Sequence, residues 1–331
     1  MAYARVIVEA LRRGGVAADA CLKLAQITPT QLHQTRGHIT ALQMEWLSGA
    51  AMQALDDEAL GAFSRRLPWG SYGMLARASL SSPDLGLAIR RWCRHHALLT
   101  DDIRLRLVTQ GETASLVVEE APAHAGLERG RREFSLVHLL RNILGLSSWF
   151  VDSRIPLQGA SFPFPQPRHA AAYRHMFPGP LEFDADHAGV RFDARYLALP
   201  LRRDEQALRL MLQRALPLTV RQYRRDRLLV QQVRQVLATR ADVAQDAEGI
   251  ASLLHLSVRT LHRQLREEGA SLQQLKDEVR GARARELLYR SGRPVKQVAA
   301  AVGFRNEKSF IRAFRGWTGT SPAEYRRQRE T

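Results

Sequence analysis

With 331 residues, 45% hydrophobic and 25% charged, the chain has room for two globular domains and a connector. Its formal net charge of +16 favours a polyanionic partner, and two cysteines exclude a disulfide framework or a four-cysteine zinc site. The opening MAYARVIVEALRRGG has no long apolar core or small-residue cleavage site, and no run approaches eighteen apolar residues. Neither a secretion signal nor a membrane span is expected, and a reducing cytoplasm is the expected setting.

Taken in order, residues 3–62 read as short helices. Val6, Val8 and Leu11, then Leu22 and Leu24, then Leu42, Trp46 and Leu47 keep helical spacing. Cys21 and Cys93 sit in apolar helical contexts and are expected as buried thiols. A turn-rich loop at 68–73 precedes a helix over 85–96, for which Ser82 is the expected cap with Pro83 in the first turn. His95 and His96 are adjacent, so on a helix they point about 100° apart and are poorly placed to share a metal ion.

The period then changes. Residues 103–108 and 114–119 alternate about Gln110-Gly111-Glu112, which predicts a hairpin. Residues 129–150 return to helix, with Phe134, Val137, Leu140, Ile143 and Leu144 inward. A strand over 157–164, a short helix over 167–177 and a strand pair at 181–184 and 189–193 follow. The first domain, residues 1–200, is therefore expected to be α+β, with helices and a small antiparallel sheet. Residues 201–226 form a connector, helical over 204–223, with Leu208, Met211, Leu212 and Ala215 on one face before Pro217. This is a candidate dimer-forming helix. An all-α domain occupies residues 227–331. Leu228 to Leu237 supply its first helix, and 239–247 form a polar turn.

Within that last domain one pattern occurs twice. IASLLHLSVRTLHRQLREEG runs from 250 to 269 and VAAAVGFRNEKSFIRAFRGWTG from 298 to 319. Each begins with a short apolar-faced helix carrying Ala251 or Ala299. A tight turn follows, then a second helix. Leu261, Arg263 and Leu265 correspond to Phe310, Arg312 and Phe314, each 49 residues later. Leu261 and Leu265 share a buried face at i and i+4, and Arg259, His262, Arg263 and Arg266 fall opposite. Phe310, Phe314 and Trp317 turn inward in the second copy; Glu307, Lys308, Ile311, Arg312 and Arg315 point outward. Two solvated helix hairpins would also satisfy one copy. Matched copies, both cationic on the corresponding face, instead fit two helix-turn-helix motifs. The charge agrees: residues 225–331 hold 21 Lys and Arg against 12 Asp and Glu, while residues 1–224 hold 28 against 21.

Residues 230–327 resemble the AraC/XylS-type transcription regulators. The resemblance rests on Ser257, Arg259, Leu261, Arg263 and Leu265, then on Arg280, Ala284, Leu287 and Leu288. It continues through Pro294, Val298, Ala299, Val302, Gly303, Phe304, Phe310, Phe314, Gly319, Ser321, Pro322 and Tyr325. It implies two helix-turn-helix subdomains joined by a long linking helix, reading successive major-groove segments about 34 Å apart over an asymmetric half-site of about two turns. Gly281 departs from good helix-forming sequence, at a cost of about 1 kcal/mol in the linking helix. Residues 5–201 also resemble the arabinose-binding-like sensor domain of one branch of these regulators, most clearly over 67–107 and 162–183. That implies a domain which binds a small-molecule effector, dimerises, or both, without fixing arabinose as the ligand.

Face and residue type nominate the contacts. Arg259, His262 and Arg263 in the first copy, and Glu307, Lys308, Ser309 and Arg312 in the second, are candidates for base reading. Glu307 can accept from a cytosine amino group or restrain Lys308 or Arg312. Arg266, Lys296, Asn306 and Arg315 are candidates for phosphate contact. Trp69, Tyr72, Met74, Arg77, Trp92 and His96 are candidates for an effector pocket, with core and surface roles as the alternative. The expected partners are promoter DNA, a small-molecule effector, RNA polymerase if the protein is an activator, and a second copy of the chain. No membrane, metal or cofactor is expected. An enzyme fused to the DNA-binding domain, such as the DNA-repair methyl acceptors, would need an activated cysteine; neither Cys21 nor Cys93 has such surroundings. No catalytic constellation stands out.

Overall fold

A computed structural model describes residues 1–34, 37–214, 226, 228–240 and 246–327. The chain divides into two compact units, Met1–Asp226 and Arg227–Thr331.

The first unit opens with four helices: α1 (Ala2–Arg13), α2 (Asp19–Leu24), α3 (Pro29–His33) and α4 (Ala41–Leu55). Thr28 with Gln31 and Thr40 with Gln43 form capping boxes that start α3 and α4. Ile7, Leu11, Leu22, Leu32, Leu47 and Met52 fill a core between these helices. Helices α5 (Ser71–Leu80) and α6 (Leu85–His96) pack together next. The cap of α6 is Asp84 rather than Ser82: Asp84 is extended, and its carboxylate accepts from Leu87 N–H at 2.7 Å. Pro83 thus lies before the cap and not in the first turn. Cys21 and Cys93 are both buried.

Strands β1 (Ile103–Gln110) and β2 (Thr113–Glu120) form the expected hairpin, with Gly111 at φ 58 in its turn. After α7 (Pro122–Ala125) comes α8 (Arg129–Val151). By length and mean hydropathy α8 could cross a membrane, although it holds no run of eighteen apolar residues. Its apolar side chains are instead buried in the unit, which is the pattern of a core helix. Strand β3 (Leu157–Phe162), a 3₁₀ turn at 170–172, α9 (Tyr173–Met176), β4 (Leu181–Phe183) and β5 (Ala188–Asp193) follow.

The sheet order is β1-β2-β5-β3-β4. The expected pairing of β4 with β5 does not occur, because β3 lies between them. β5 runs antiparallel to both β2 and β3, and β4 runs parallel to β3. The sheet is therefore mixed. Residues 163–180 make this possible by crossing over before β4. Phe162, Tyr173, Phe177 and Phe183 pack edge-to-face or stacked, and this cluster closes the crossover. Helix α10 (Glu205–Leu212) then packs on α5. The remainder of the expected connector helix, 215–223, lies outside the described residues, as does most of the polar turn at 239–247.

The second unit is all helical: α11 (Leu228–Thr239), α12 (Ala247–Leu253), α13 (Val258–Glu267), α14 (Leu272–Arg290), α15 (Val295–Ala301), α16 (Glu307–Thr318) and α17 (Pro322–Arg327). It has two apolar cores. The first joins Leu229, Val233, Ile250, Leu261 and Leu265 to Leu272 and Leu275. The second joins Val298, Ala299, Phe310 and Phe314 to Ala284 and Leu288. Leu272 and Leu275 come from the start of α14, and Ala284 and Leu288 from its end. One helix is thus shared by both cores.

Gly281 sits between the two sets, and it is buried. A Cβ there would lie 3.2 Å from Trp317 Cε3 and 3.4 Å from Trp317 Cδ2. Close approach of the indole explains why a poor helix former occupies this position. The Gly281→Val substitution adds a branched side chain against the indole, and overpacking of this kind costs about 1–3 kcal/mol. Differential scanning calorimetry of the full chain is expected to show the C-terminal unit melting at lower temperature. Unchanged melting would mean that the indole is free to move aside.

Candidate functional site

The two hairpins of the second unit are built by the same local chemistry. Ser257 accepts from Thr260 N–H at 3.1 Å and starts α13; Asn306 accepts from Ser309 N–H at 2.8 Å and starts α16. The caps are 49 residues apart, like the buried pairs behind them. The preceding helices stop in matched fashion. His255 (φ 54) and Gly303 (φ 83) are both left-handed. Leu256 N–H reaches Ala251 O at 2.8 Å, and Phe304 N–H reaches Ala299 O at 2.9 Å. These bonds close a Schellman-type stop. This part of the repeat is offset by 48 residues, so the second turn holds one extra residue between stop and cap.

Behind each turn the alanines are buried, Ala251 at 2% and Ala299 at 1% exposed, and let the two helices cross closely. Glu268 accepts from Leu229 and Val230 N–H at 3.1 and 2.8 Å and so holds the first turn of α11. Arg280 of α14 stacks over Phe304, 5.5 Å from the ring centroid. The recognition helices are thus fixed from several sides.

Arg259, His262, Arg263 and Arg266 are all exposed on α13. On α16, Lys308, Ser309, Arg312 and Arg315 are exposed and Glu307 is half-buried; Lys296 on α15 is exposed. Asn306 is engaged through its carbonyl oxygen as a cap, which leaves its amide N–H groups to meet an anion. Arg263 is not free: its guanidinium pairs with Glu267 at 3.1 Å. Among the described residues no ion pair joins Glu307 to Lys308 or Arg312. Neither Glu267 nor its pairing was foreseen, although the i, i+4 spacing is visible in the sequence.

In the first unit the six effector candidates separate. Tyr72, Trp92 and His96 line one partly enclosed cavity of about 50 Å³. Trp69 and Met74 are about half exposed and lie outside its wall. Arg77 also lies outside and pairs instead with Glu205 of α10 at 2.9 Å. The wall includes Glu58, Phe63 and His138, which come from elsewhere in the chain and were not foreseen. Glu58 bridges to the start of α5, accepting from Gly70 N–H at 2.7 Å and Tyr72 N–H at 2.6 Å. Burial raises its proton affinity above the ordinary carboxylate value. Burial also lowers the pKa of His96 and His138 to about 4 each, so both imidazoles are neutral near pH 7.

Two helix-turn-helix hairpins on a shared helix, following an α+β domain, define a DNA-binding transcription regulator. The family model described as "Arabinose-binding domain of AraC transcription regulator, N-term" matches residues 15–201, and a "Helix-turn-helix domain" model matches residues 250–328. The chain belongs to the AraC family of transcription regulators. It is 28% identical to the "Ornithine utilization regulator" of Pseudomonas aeruginosa over 328 residues, covering 98% of this chain and 95% of that one. GadX of Escherichia coli is 42% identical over 76 residues, 23% of this chain and 28% of that protein. A DNA-binding transcriptional dual regulator from Escherichia coli K-12 has 33% identity, with a TM-score of 0.29 over 31% of this chain and 92% of that one.

The cavity histidines make stability depend on pH. Their folded pKa of about 4 lies below the ordinary 6.5, so the unfolded chain binds more protons between those values. Their contribution is full above pH 6.5 and is lost as pH falls toward 4. Glu58, with its raised pKa, acts in the opposite direction. The expected result is a smaller fall in thermal midpoint between pH 7.5 and 5 for the His96→Gln/His138→Gln double variant than for the parent. Equal falls would mean that these imidazoles are protonated in the folded protein.

Proposed function

We propose that the protein regulates transcription from a specific promoter under control of a small molecule bound by its N-terminal domain. In this reading residues 1–200 sense the effector and dimerise, 201–226 connect, and 227–331 bind DNA. The observation that carries it is the matched pair of exposed cationic faces on α13 and α16, set by equivalent caps and stops. Arg259, His262 and Arg263, with Glu307, Lys308, Ser309 and Arg312, read base edges. Arg266, Lys296, Asn306 and Arg315 meet phosphates, which position the helices without reading sequence. Activation through RNA polymerase, a homodimeric state and a cytoplasmic setting belong to the same proposal. The two lone, buried thiols agree with a reducing compartment.

Sensing is supported by the cavity in the first unit and by the end-to-end match to a regulator named for ornithine utilisation. A footprint on the promoter beside the gene, at fixed salt, with and without a metabolite panel that includes ornithine, tests it. Protection over about two helical turns per subunit, changed by one metabolite, is the expected result. Protection that no metabolite changes would make the first domain a dimerisation module. The two classes of side chain separate in binding titrations. Arg263→Ala and Arg312→Ala are each expected to cost about 1–3 kcal/mol on the operator and to relax specificity at one position. Arg266→Ala and Arg315→Ala are expected to weaken all sequences alike and to reduce the salt slope by about 1 each. If the first pair of variants footprints and titrates like the parent, the assigned reading face is wrong.

A further inference from the structure

The two turns that lead into α13 and α16 are not held alike. In the first, Leu256 packs against the aliphatic core of its own hairpin. Its counterpart 48 residues later is Phe304. That ring meets Phe310 at 5.6 Å and Trp317 at 5.9 Å between centroids, both edge-to-face. Its third neighbour is charged: Arg280 of α14 stands over the ring with its guanidinium carbon 5.5 Å from the centroid. Among the described residues no cation stacks on a ring in the first hairpin.

The same guanidinium borders the stop of α15. A Cβ on Gly303 would lie 3.7 Å from Arg280 Nη2 and 3.8 Å from Nε. Glycine thus leaves open the ground on which the guanidinium rests, whereas His255 at the matching stop carries a side chain. Arg280 is half-buried and has no ion pair among the described residues. Its charge is met by the face of Phe304 and lies against the C-terminal end of α15, where a cation is favoured.

Its place along α14 adds the mechanical consequence. Arg280 precedes Gly281, against which Trp317 of α16 lies. Adjacent residues of the linking helix therefore hold both ends of α16. Gly281 receives the indole of its last turn, and Arg280 holds, through Phe304, the turn that enters it. A helix held at one end can pivot, and one held at both cannot. The turn between Gly303 and Asn306 has one residue more than its counterpart, so its length constrains its path less and the stack supplies the constraint.

We propose that Arg280 is a positioning residue for sequence recognition: through Phe304 it fixes the direction in which α16 leaves the turn, and so sets how selectively the second segment of the DNA site is read, without touching DNA itself. This rests on the reading of α16 as a base-reading helix.

The full-length parent and its variants are compared on duplexes that the parent selects from a randomised pool. Base pairs whose discrimination falls in Arg312→Ala mark the segment under α16, and those in Arg263→Ala the segment under α13. A wrong base pair ordinarily lowers affinity roughly 5- to 150-fold. In Arg280→Met, which keeps an unbranched side chain and removes the charge, that ratio is expected to shrink roughly two- to fivefold under α16, the equivalent of one cation–π contact, and to keep its parental value under α13. The salt slope is expected to stay unchanged, since no phosphate contact is lost. Arg280→Lys returns a cation to the ring and is expected to restore part of the discrimination. Phe304→Leu copies Leu256 and leaves the arginine in place. It is expected to lose discrimination under α16 as Arg280→Met does, with the double variant losing no more than either alone. It carries the test if Arg280→Met fails to fold. A salt slope lowered by about 1, with all sequences weakened alike, would make Arg280 a phosphate contact and overturn the proposal. Parental discrimination at both segments, with a lowered thermal midpoint, would reduce the stack to a stabilising contact and also overturn it. Parental discrimination in Arg312→Ala as well would remove α16 as a reading helix, and the proposal with it.

Discussion

The DNA-binding half depends on one shared helix. Neither hairpin could bury enough apolar surface alone: the first core contains nine buried residues and the second seven. α14 supplies Leu272 and Leu275 to one core and Ala284 and Leu288 to the other. Its rigidity therefore sets how far apart α13 and α16 stand and how they are turned relative to each other. That relation must match the DNA repeat if both helices are to enter the major groove together. Gly281 and Trp317 meet close to the point where α14 passes from one core to the other. There a lower helix propensity is accepted so that α16 can lie close.

The repeat is conserved in its mechanics more than in its letters. Ser257 and Asn306 differ but both cap, and His255 and Gly303 differ but both take the left-handed conformation. Glycine adopts that conformation freely, while histidine does so at a cost of roughly 1–2 kcal/mol. The extra residue in the second turn falls after this stop and before the cap. The insertion is thus absorbed outside both helices, and the buried pairs Leu261/Leu265 and Phe310/Phe314 keep equivalent places.

Much of this was legible because it is local. The i, i+4 pairs and the alternation of β1 and β2 are set within a few residues, and the sequence displays them directly. What it did not display depends on distant contacts. Residues 181–184 and 189–193 look like a hairpin, yet Phe162, Tyr173 and Phe177 draw β3 between them. Ser82 and Asp84 are both good caps, and only the backbone path selects Asp84. Gly281 reads as a defect until Trp317 is seen beside it. The cavity was half legible for the same reason. Tyr72, Trp92 and His96 lie within one stretch of helices, whereas Glu58 and His138 reach the same wall from other elements.

The two recognition faces also differ in a way that bears on how sequence would be read. Arg263 carries a partner on its own helix, and Arg312 has no ion pair among the described residues. An exposed i, i+4 pair is worth only about 0.3–0.5 kcal/mol, so Arg263 can leave Glu267 for a guanine edge at little cost. In the proposed mode of binding, Glu267 would then be left as an unneutralised charge. A loss of that kind is recovered only where Arg263 finds a well-placed acceptor, since a bidentate contact is worth about 1–3 kcal/mol. In that mode, non-cognate DNA would leave the pair closed and Arg263 with little attraction to contribute. In the proposed mode of binding, the ion pair on α13 therefore lowers affinity for arbitrary sequence more than for the operator, while Arg312 on α16 adds attraction to both.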